Sequence, residues 1–293
     1  MSRALCLALI VLVWSTGERA LAQDTPWRAV LTGGIDEYVV RPGDTLASVS
    51  ARFGTGTATL VQLNKLDRAR PLVIGRWLTI DNRHIAAIDP GVEIAINVAQ
   101  RMLYFVDGDH VRAFPIAVGT RDWPTPLGAF SVVEKEENPT WDVPSSIQEE
   151  MRLQGQPVVT RMPPSPRNPL GAYWIRLSFP NLGIHGTIAP ASVYRYASHG
   201  CIRMHPEDVA ALFERVMVGA AGVIRYQPVI IAMIEGRVYL EAHPDVYRRA
   251  PDAANQVLEY SRGYGFADRV DWPATVRVMR EQRGLAVDVT KED

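Results

Sequence analysis

The chemically dense part of this sequence lies in two short stretches, Ile184-His185-Gly186-Thr187 and Ala197-Ser198-His199-Gly200-Cys201-Ile202-Arg203-Met204. A thiol becomes a strong nucleophile when its pKa falls, and a nearby imidazole and guanidinium both favour the thiolate. His185, His199, His205 and Arg203 are all close to Cys201 in sequence. Gly200 suits a tight turn where a substrate can approach the backbone and find an amide donor for a developing oxyanion. Three chemistries compete for these residues. A zinc site built from His185, His199, Cys201 and His205 would lack the paired spacings that cysteine-containing zinc sites show. A buried, inert cysteine is the ordinary fate of a free thiol. A polar, glycine-flanked, cationic setting is a poor place to bury one, so the pattern favours Cys201 as a covalent nucleophile.

The N-terminus strengthens that reading. Arg3 gives a positive start, Ala4 to Trp14 is an uninterrupted apolar run, and Ala20-Leu21-Ala22 has the spacing of a signal-peptidase site. The run is shorter than the roughly 20 residues a membrane span needs, so residues 1–22 read as a signal peptide that leaves no stable span behind. Cys6 would depart with it, leaving Cys201 as the one thiol of an exported chain. A lone cysteine in an oxidising compartment cannot form an internal disulfide. The formal net charge of −1 argues against a nucleic-acid partner.

The elements that must position this chemistry divide the mature chain in three. From 37 to 82, a short strand at Tyr38-Val39-Val40 meets the turn Pro42-Gly43-Asp44, which offers Asp44 or Thr45 as a helix cap. Leu46, Val49 and Phe53 follow at helical spacing up to Gly54, a second short helix carries Leu60 and Leu63 to Asn64, and Trp77 to Ile80 forms a second strand. From 92 to 227, β-rich runs at Val92–Val98, Met102–Val106, Val111–Val118, Phe130–Val133 and Tyr173–Leu177 alternate with turn signals, predicting a mainly β, sandwich-like domain. One clear helix interrupts it, with Pro206 in its first turn and an apolar stripe of Val209, Leu212, Phe213 and Val216. The remainder, 228–293, reads as a mixed extension with a strand at Arg237–Ala242 and helices at Asp252–Tyr260 and Pro273–Gln282. It carries no recognisable catalytic constellation, so a packing or lid role is expected of it.

Two resemblances follow from these residues. The βααβ module resembles a LysM domain, through Gly43-Asp44-Thr45-Leu46, Phe53-Gly54, Asn64, Leu72, Gly75 and Ile80. That resemblance implies binding of N-acetylglucosamine-containing glycan near Gly43, Asp44 and Thr45, peptidoglycan in bacteria. His185-Gly186-Thr187 with Ser198-His199-Gly200-Cys201-Ile202-Arg203 resembles the signature of the L,D-transpeptidase (YkuD-type) catalytic domain. Thr125-Pro126-Leu127-Gly128-Ala129-Phe130, Asn138-Pro139-Thr140-Trp141 and Asn168-Pro169-Leu170-Gly171 are similar to further pieces of it. The last two occur in the periplasmic ErfK/YbiS/YcfS/YnhG branch, and Glu241-Ala242-His243-Pro244 extends the likeness into the tail.

This second resemblance implies roles. Cys201 would be the nucleophile and His185 the general base, the imidazole being oriented by a backbone carbonyl near Gly186 rather than by an acidic side chain. Backbone amides around Gly200 and Cys201 would form the oxyanion hole, and Arg203 would steady the loop or hold a substrate carboxylate. Ser198 and His199 would shape the substrate-binding loop, and His205 would only start a helix. The implied reaction attacks the third residue of a peptidoglycan tetrapeptide stem, releases D-alanine and passes the acyl group to an amine. That amine belongs to a neighbouring stem or to a lysine of an outer-membrane lipoprotein, and water in its place would give hydrolysis. No cofactor is implied, and the location is the periplasm. The competing expectation is a catalytically inactive wall-binding protein that uses only its LysM-like module. Trp123, Trp141 and Trp174 are candidates to line the substrate groove, but large aromatics in β domains are more often core.

Overall fold

The computed structural model describes residues 27–292; the segment read as a signal peptide, Cys6 included, lies outside the described residues. Apolar residues alternating along short strands can bury one face of a sheet, and closing that sheet on itself encloses them. The central sheet here does this with eight strands, in spatial order Ile202–Arg203, Gly183–His185, Tyr173–Leu177, Gly128–Glu137, Ala221–Arg225, Ile94–Asn97, Met102–Asp107 and His110–Pro115. The two outer strands are brought together by chain continuity. Just past Pro115, Ala117 pairs with Arg203 through N–H···O bonds of 2.8 and 3.0 Å. The sheet is therefore curled, and its inner face packs Ile94, Ile96, Leu103, Phe130, Ile175 and Ile184 into one core.

Before this sheet come helices α1 (Leu46–Phe53) and α2 (Thr57–Leu63), framed by the antiparallel pair Ile35–Val39 and Trp77–Asp81. Their ends follow from sequence. Thr45 and Ser48 form a reciprocal capping box, and Gly54 closes α1 in the left-handed conformation at φ +65°. Tyr38, Val40, Val49, Leu60, Leu78 and Ile80 form the small core.

Two helices flank the central sheet where one was expected. Helix α3 (Ser145–Leu153) buries none of its residues, and only Ile147, Met151 and Leu153 in it are apolar, too sparse a set to announce a helix. Helix α4 (Pro206–Arg215) starts at Pro206 as read, with Glu207 and Asp208 in its first turn and Val209 and Leu212 buried. The tail contributes α5 (Ala253–Gly263) and α6 (Trp272–Glu281) against the three-stranded sheet Val229–Ile234, Arg237–Ala242 and Ala286–Asp288. Among the described residues no helix is long and apolar enough to cross a membrane.

A buried polar knot joins the three parts. Glu241 Oε1 accepts from His84 Nδ1 at 2.7 Å and His243 Nε2 at 2.6 Å, while Oε2 accepts from Ile85 N at 2.7 Å and Gln100 Nε2 at 2.8 Å. The other nitrogen of His84 faces the carbonyl of Gly54 at 2.8 Å. Two acceptors on one imidazole require both nitrogens protonated, so His84 is an imidazolium. The Glu241 carboxyl is held down to about 2, its burial outweighed by His84 and the His243 hydrogen bond. Separations of 2.6–2.7 Å are hydrogen bonds; ligands about 2.0–2.1 Å from a tetrahedral metal stand farther apart than that.

Candidate active site

Three strands at one end of the central sheet set the site. Gly183–His185 pairs antiparallel with Tyr173–Leu177, opposing His185 to Trp174, and parallel with Ile202–Arg203, opposing His185 to Arg203. Side chains alternate across a sheet. Ile184 and Ile202 are fully buried in the core, so His185 and the pair Cys201 and Arg203 fall on the other face. The fold thus brings together residues separated by a turn and a 3-10 helix in the chain.

The loop before Cys201 is held from within. Gly200 has φ +110°, a region that a side chain avoids. The Ser198 hydroxyl accepts from Gly200 N at 3.2 Å and donates to the Cys201 carbonyl at 2.5 Å, so it is spent on the turn. His199 points outward and bonds Glu150 of α3 at 2.6 Å, with Trp123 packed beside it at 5.4 Å.

His185 is buried and its Nδ1 lies 2.6 Å from the Gly186 carbonyl. A carbonyl only accepts, so Nδ1 carries the proton and Nε2 keeps a lone pair when the ring is neutral. Burial, then the Arg203 charge, hold the imidazole down to about 4, against the opposing pull of the Gly186 and Leu170 carbonyls. It is a neutral base at physiological pH.

The thiol corrects an expectation. Neighbouring cations were expected to favour the thiolate, but burial pushes the Cys201 thiol up, and the Gly183 N–H and Arg203 only partly offset it. Desolvation disfavours any charged form, and here it outweighs one half-buried guanidinium. The thiol donates to the Asn181 carbonyl at 3.7 Å, and no hydrogen bond among the described residues joins it to His185. Arg203 itself has no carboxylate partner among the described residues.

Two cavities meet at Cys201. One, of about 370 Å³, has Cys201, His185 and Arg203 in its wall beside Trp123, Trp141 and His199. The other, of about 390 Å³, shares Trp141, Asn181 and Cys201 but adds Glu134, Glu136, Asp142 and Trp174. Of the two places open to Trp123, Trp141 and Trp174 from sequence, groove and core, all three stand in the walls of the site. Trp174 does so because its ring lies flat on Gly183, where an added Cβ would come within 2.4 Å. Residues that sequence reasoning missed are Asn181, Glu150, Glu134 and Glu136. None has a local signal; each arrives through strand pairing or from α3.

The zinc set is not gathered: among the described residues, His84, Glu241 and His243 form the one cluster of metal-ligating types, away from Cys201. His205 stands at the N-terminus of α4 without capping it through its side chain. In the small module, Asp44 accepts from Tyr38 Oη at 2.6 Å and Arg41 N at 2.8 Å. Thr45 caps α1, and Gly43 makes the turn at φ +86°. Their polar atoms serve the fold first.

Fold and site together define a mainly β domain with a cysteine and histidine in one cavity at its sheet edge, joined to a small βααβ module. The model of the L,D-transpeptidase catalytic domain matches residues 91–231, and that of the LysM domain matches 38–81. The chain is 34% identical over 220 residues to an Escherichia coli K12 protein named "Probable L,D-transpeptidase YbiS", covering 73% of this chain and 71% of that one. It is 29% identical over 261 residues to "Probable L,D-transpeptidase ErfK/SrfK" of the same strain, covering 88% and 79%. For "Probable L,D-transpeptidase YcfS", also of that strain, the figures are 29% over 265 residues, 86% and 82%. The chain belongs to the L,D-transpeptidase (YkuD) family and carries a LysM domain. It is accordingly a transpeptidase-type acyltransferase with a peptidoglycan-binding module.

Proposed function

We propose that the protein forms a thioester between Cys201 and the third residue of a peptidoglycan tetrapeptide stem, then passes that acyl group to an amine. The observation that carries this reading is the shared cavity of Cys201 and His185, with the imidazole locked on the Gly186 carbonyl so that Nε2 is the base. The thiol turns from Asn181 to Nε2 and attacks the stem carbonyl. Its proton passes through His185 to the amine of the departing D-alanine, and the carbon–nitrogen bond breaks. An acceptor amine then gives a proton to His185, attacks the thioester and releases the thiol. Amides around Gly200 and Cys201 receive the oxyanion. The guanidinium of Arg203 takes a donor carboxylate, while Ser198 and His199 hold the loop.

The acceptor enters through the cavity of Glu134, Glu136 and Asp142; Arg176 in the same wall pairs with Glu134, and the net negative charge that remains suits an ammonium-bearing nucleophile. A stem amine and a lipoprotein lysine share that chemistry. The LysM module, with its Gly43-Asp44-Thr45 turn at the surface, keeps the enzyme on glycan and raises the local substrate concentration. Residues 1–22 direct the chain to the periplasm, with module 37–82, catalytic domain 92–227 and extension 228–293 following. Intact mass after incubation with ertapenem tests the reading. A single covalent adduct that Cys201→Ala abolishes is expected; no adduct on the wild type would refute it. Mass spectrometry of digested sacculi then identifies the acceptor from the new linkage.

A further inference from the structure

The peptide that precedes Cys201 is tied by hydrogen bonds to the C-terminal extension. Tyr247 lies outside the residues matched by the catalytic-domain model, yet it is buried in that domain's core, stacked on Tyr226 at 4.9 Å. Its hydroxyl donates to the Gly119 carbonyl at 2.7 Å and accepts from Thr125 N at 3.1 Å. The Thr125 hydroxyl accepts from Gly119 N at 2.9 Å and donates to the Gly200 carbonyl at 2.8 Å. Thr125 is fully buried, and an added Cβ on Gly119 would come within 2.1 Å of the Trp123 carbonyl, so this ring of bonds has no slack.

The last of these bonds matters because of covalent geometry. The carbonyl of Gly200 and the N–H of Cys201 belong to one peptide group, which is planar and trans. Pulling the carbonyl toward Thr125 aims the N–H the opposite way, as one rigid unit. Gly200 has no Cβ to restrict rotation about its Cα–C bond, so this peptide can turn unless something holds it. We infer that Tyr247 is a positioning residue for acyl transfer: through Thr125 it fixes the Gly200–Cys201 peptide so that the Cys201 N–H is preset to receive the oxyanion. The inference rests on the acyl-transfer reading above.

The experiment compares two reactions of the same thiol in the full chain. Acylation by ertapenem passes through an oxyanion and needs the aimed N–H. Alkylation by iodoacetamide displaces iodide at a saturated carbon, forms no oxyanion and does not. Tyr247→Phe keeps the ring and its stacking but removes the hydroxyl; Thr125→Val removes the other link, and Thr125→Ser retains it. Losing one oxyanion donor outright costs about 100- to 1000-fold, so loosening it is expected to slow acylation about 10-fold in Tyr247→Phe and more in Thr125→Val. Alkylation should stay within about twofold of wild type in both, since it needs only the thiol, and Thr125→Ser should recover acylation. With a peptide donor, kcat should fall while KM holds. Equal losses of acylation and alkylation, or unchanged acylation in Tyr247→Phe, would overturn the inference. Failure of the wild type to acylate would instead refute the proposed function, and it is read before any variant.

Discussion

Acidification is the perturbation that separates this site from an ordinary cysteine–histidine pair. Burial and Arg203 hold His185 down to about 4, so at pH 5 about 90% of the imidazole is still the neutral base. An unperturbed histidine near 6.5 would be only about 3% neutral at pH 5 and about 76% at pH 7. The sign follows from the direction of the shift: a depressed histidine keeps its basic form down to a lower pH. Between pH 7 and pH 5, acylation by ertapenem should therefore fall by only about a tenth, against about 25-fold for the unperturbed case. The alkaline side should be flat as well, because burial raises the thiol and keeps it protonated at neutral pH. Single-turnover acylation followed by intact mass at half-unit pH steps measures both limbs. Arg203→Gln removes the second-ranked cause and should move the acid limb upward without abolishing it. A tenfold or greater loss between pH 7 and pH 5 in the wild type would refute the reasoning. So would a rate that rises tenfold per pH unit toward alkaline pH, the mark of a pre-ionised thiolate as the reacting form.

Other outcomes follow from the same structure. Glu241→Gln removes the negative member of a buried ionic network, which should lower unfolding free energy by about 3–5 kcal/mol in denaturant titrations. Replacing Glu136 and Asp142 together by Gln and Asn should raise the KM for an amine acceptor several-fold, increasingly so at low salt, with donor acylation unchanged. Glu150→Gln breaks a half-exposed pair with His199 and should cost less than about 1 kcal/mol of stability, while hydrogen exchange of α3 amides speeds up. Gly200→Ala puts a Cβ on a residue at φ +110° and should cost about 1–3 kcal/mol, with acylation lost more steeply than stability.

Much of the architecture was legible because local rules were obeyed. The capping box at Thr45, the glycine stop at Gly54, Pro206 with its acidic first turn, and the strand at Tyr173–Leu177 all appear where their residue types call for them. Helix α3 was not legible, because it buries no residue and carries only Ile147, Met151 and Leu153 as apolar residues. Whether Trp123, Trp141 and Trp174 line the groove or the core stayed open in the sequence, because an aromatic's neighbours, and not its type, decide whether it faces a cavity. The tail was read as packing, since Tyr247 and Glu241 act only through residues far away in sequence.

By itself, the sequence determined which atoms are available: one thiol in the catalytic stretch, an imidazole sixteen residues before it, and a glycine that permits the turn between them. Tertiary structure decided their states. In the folded chain desolvation raises the half-buried thiol where nearby cations alone would lower it, and His185 is left as the neutral base. The fold also carries a tyrosine from the tail to the peptide that precedes Cys201. Charge and burial act on a group through whatever surrounds it in space, and for Cys201 those surroundings come from strands, loops and a tail that the chain order keeps apart.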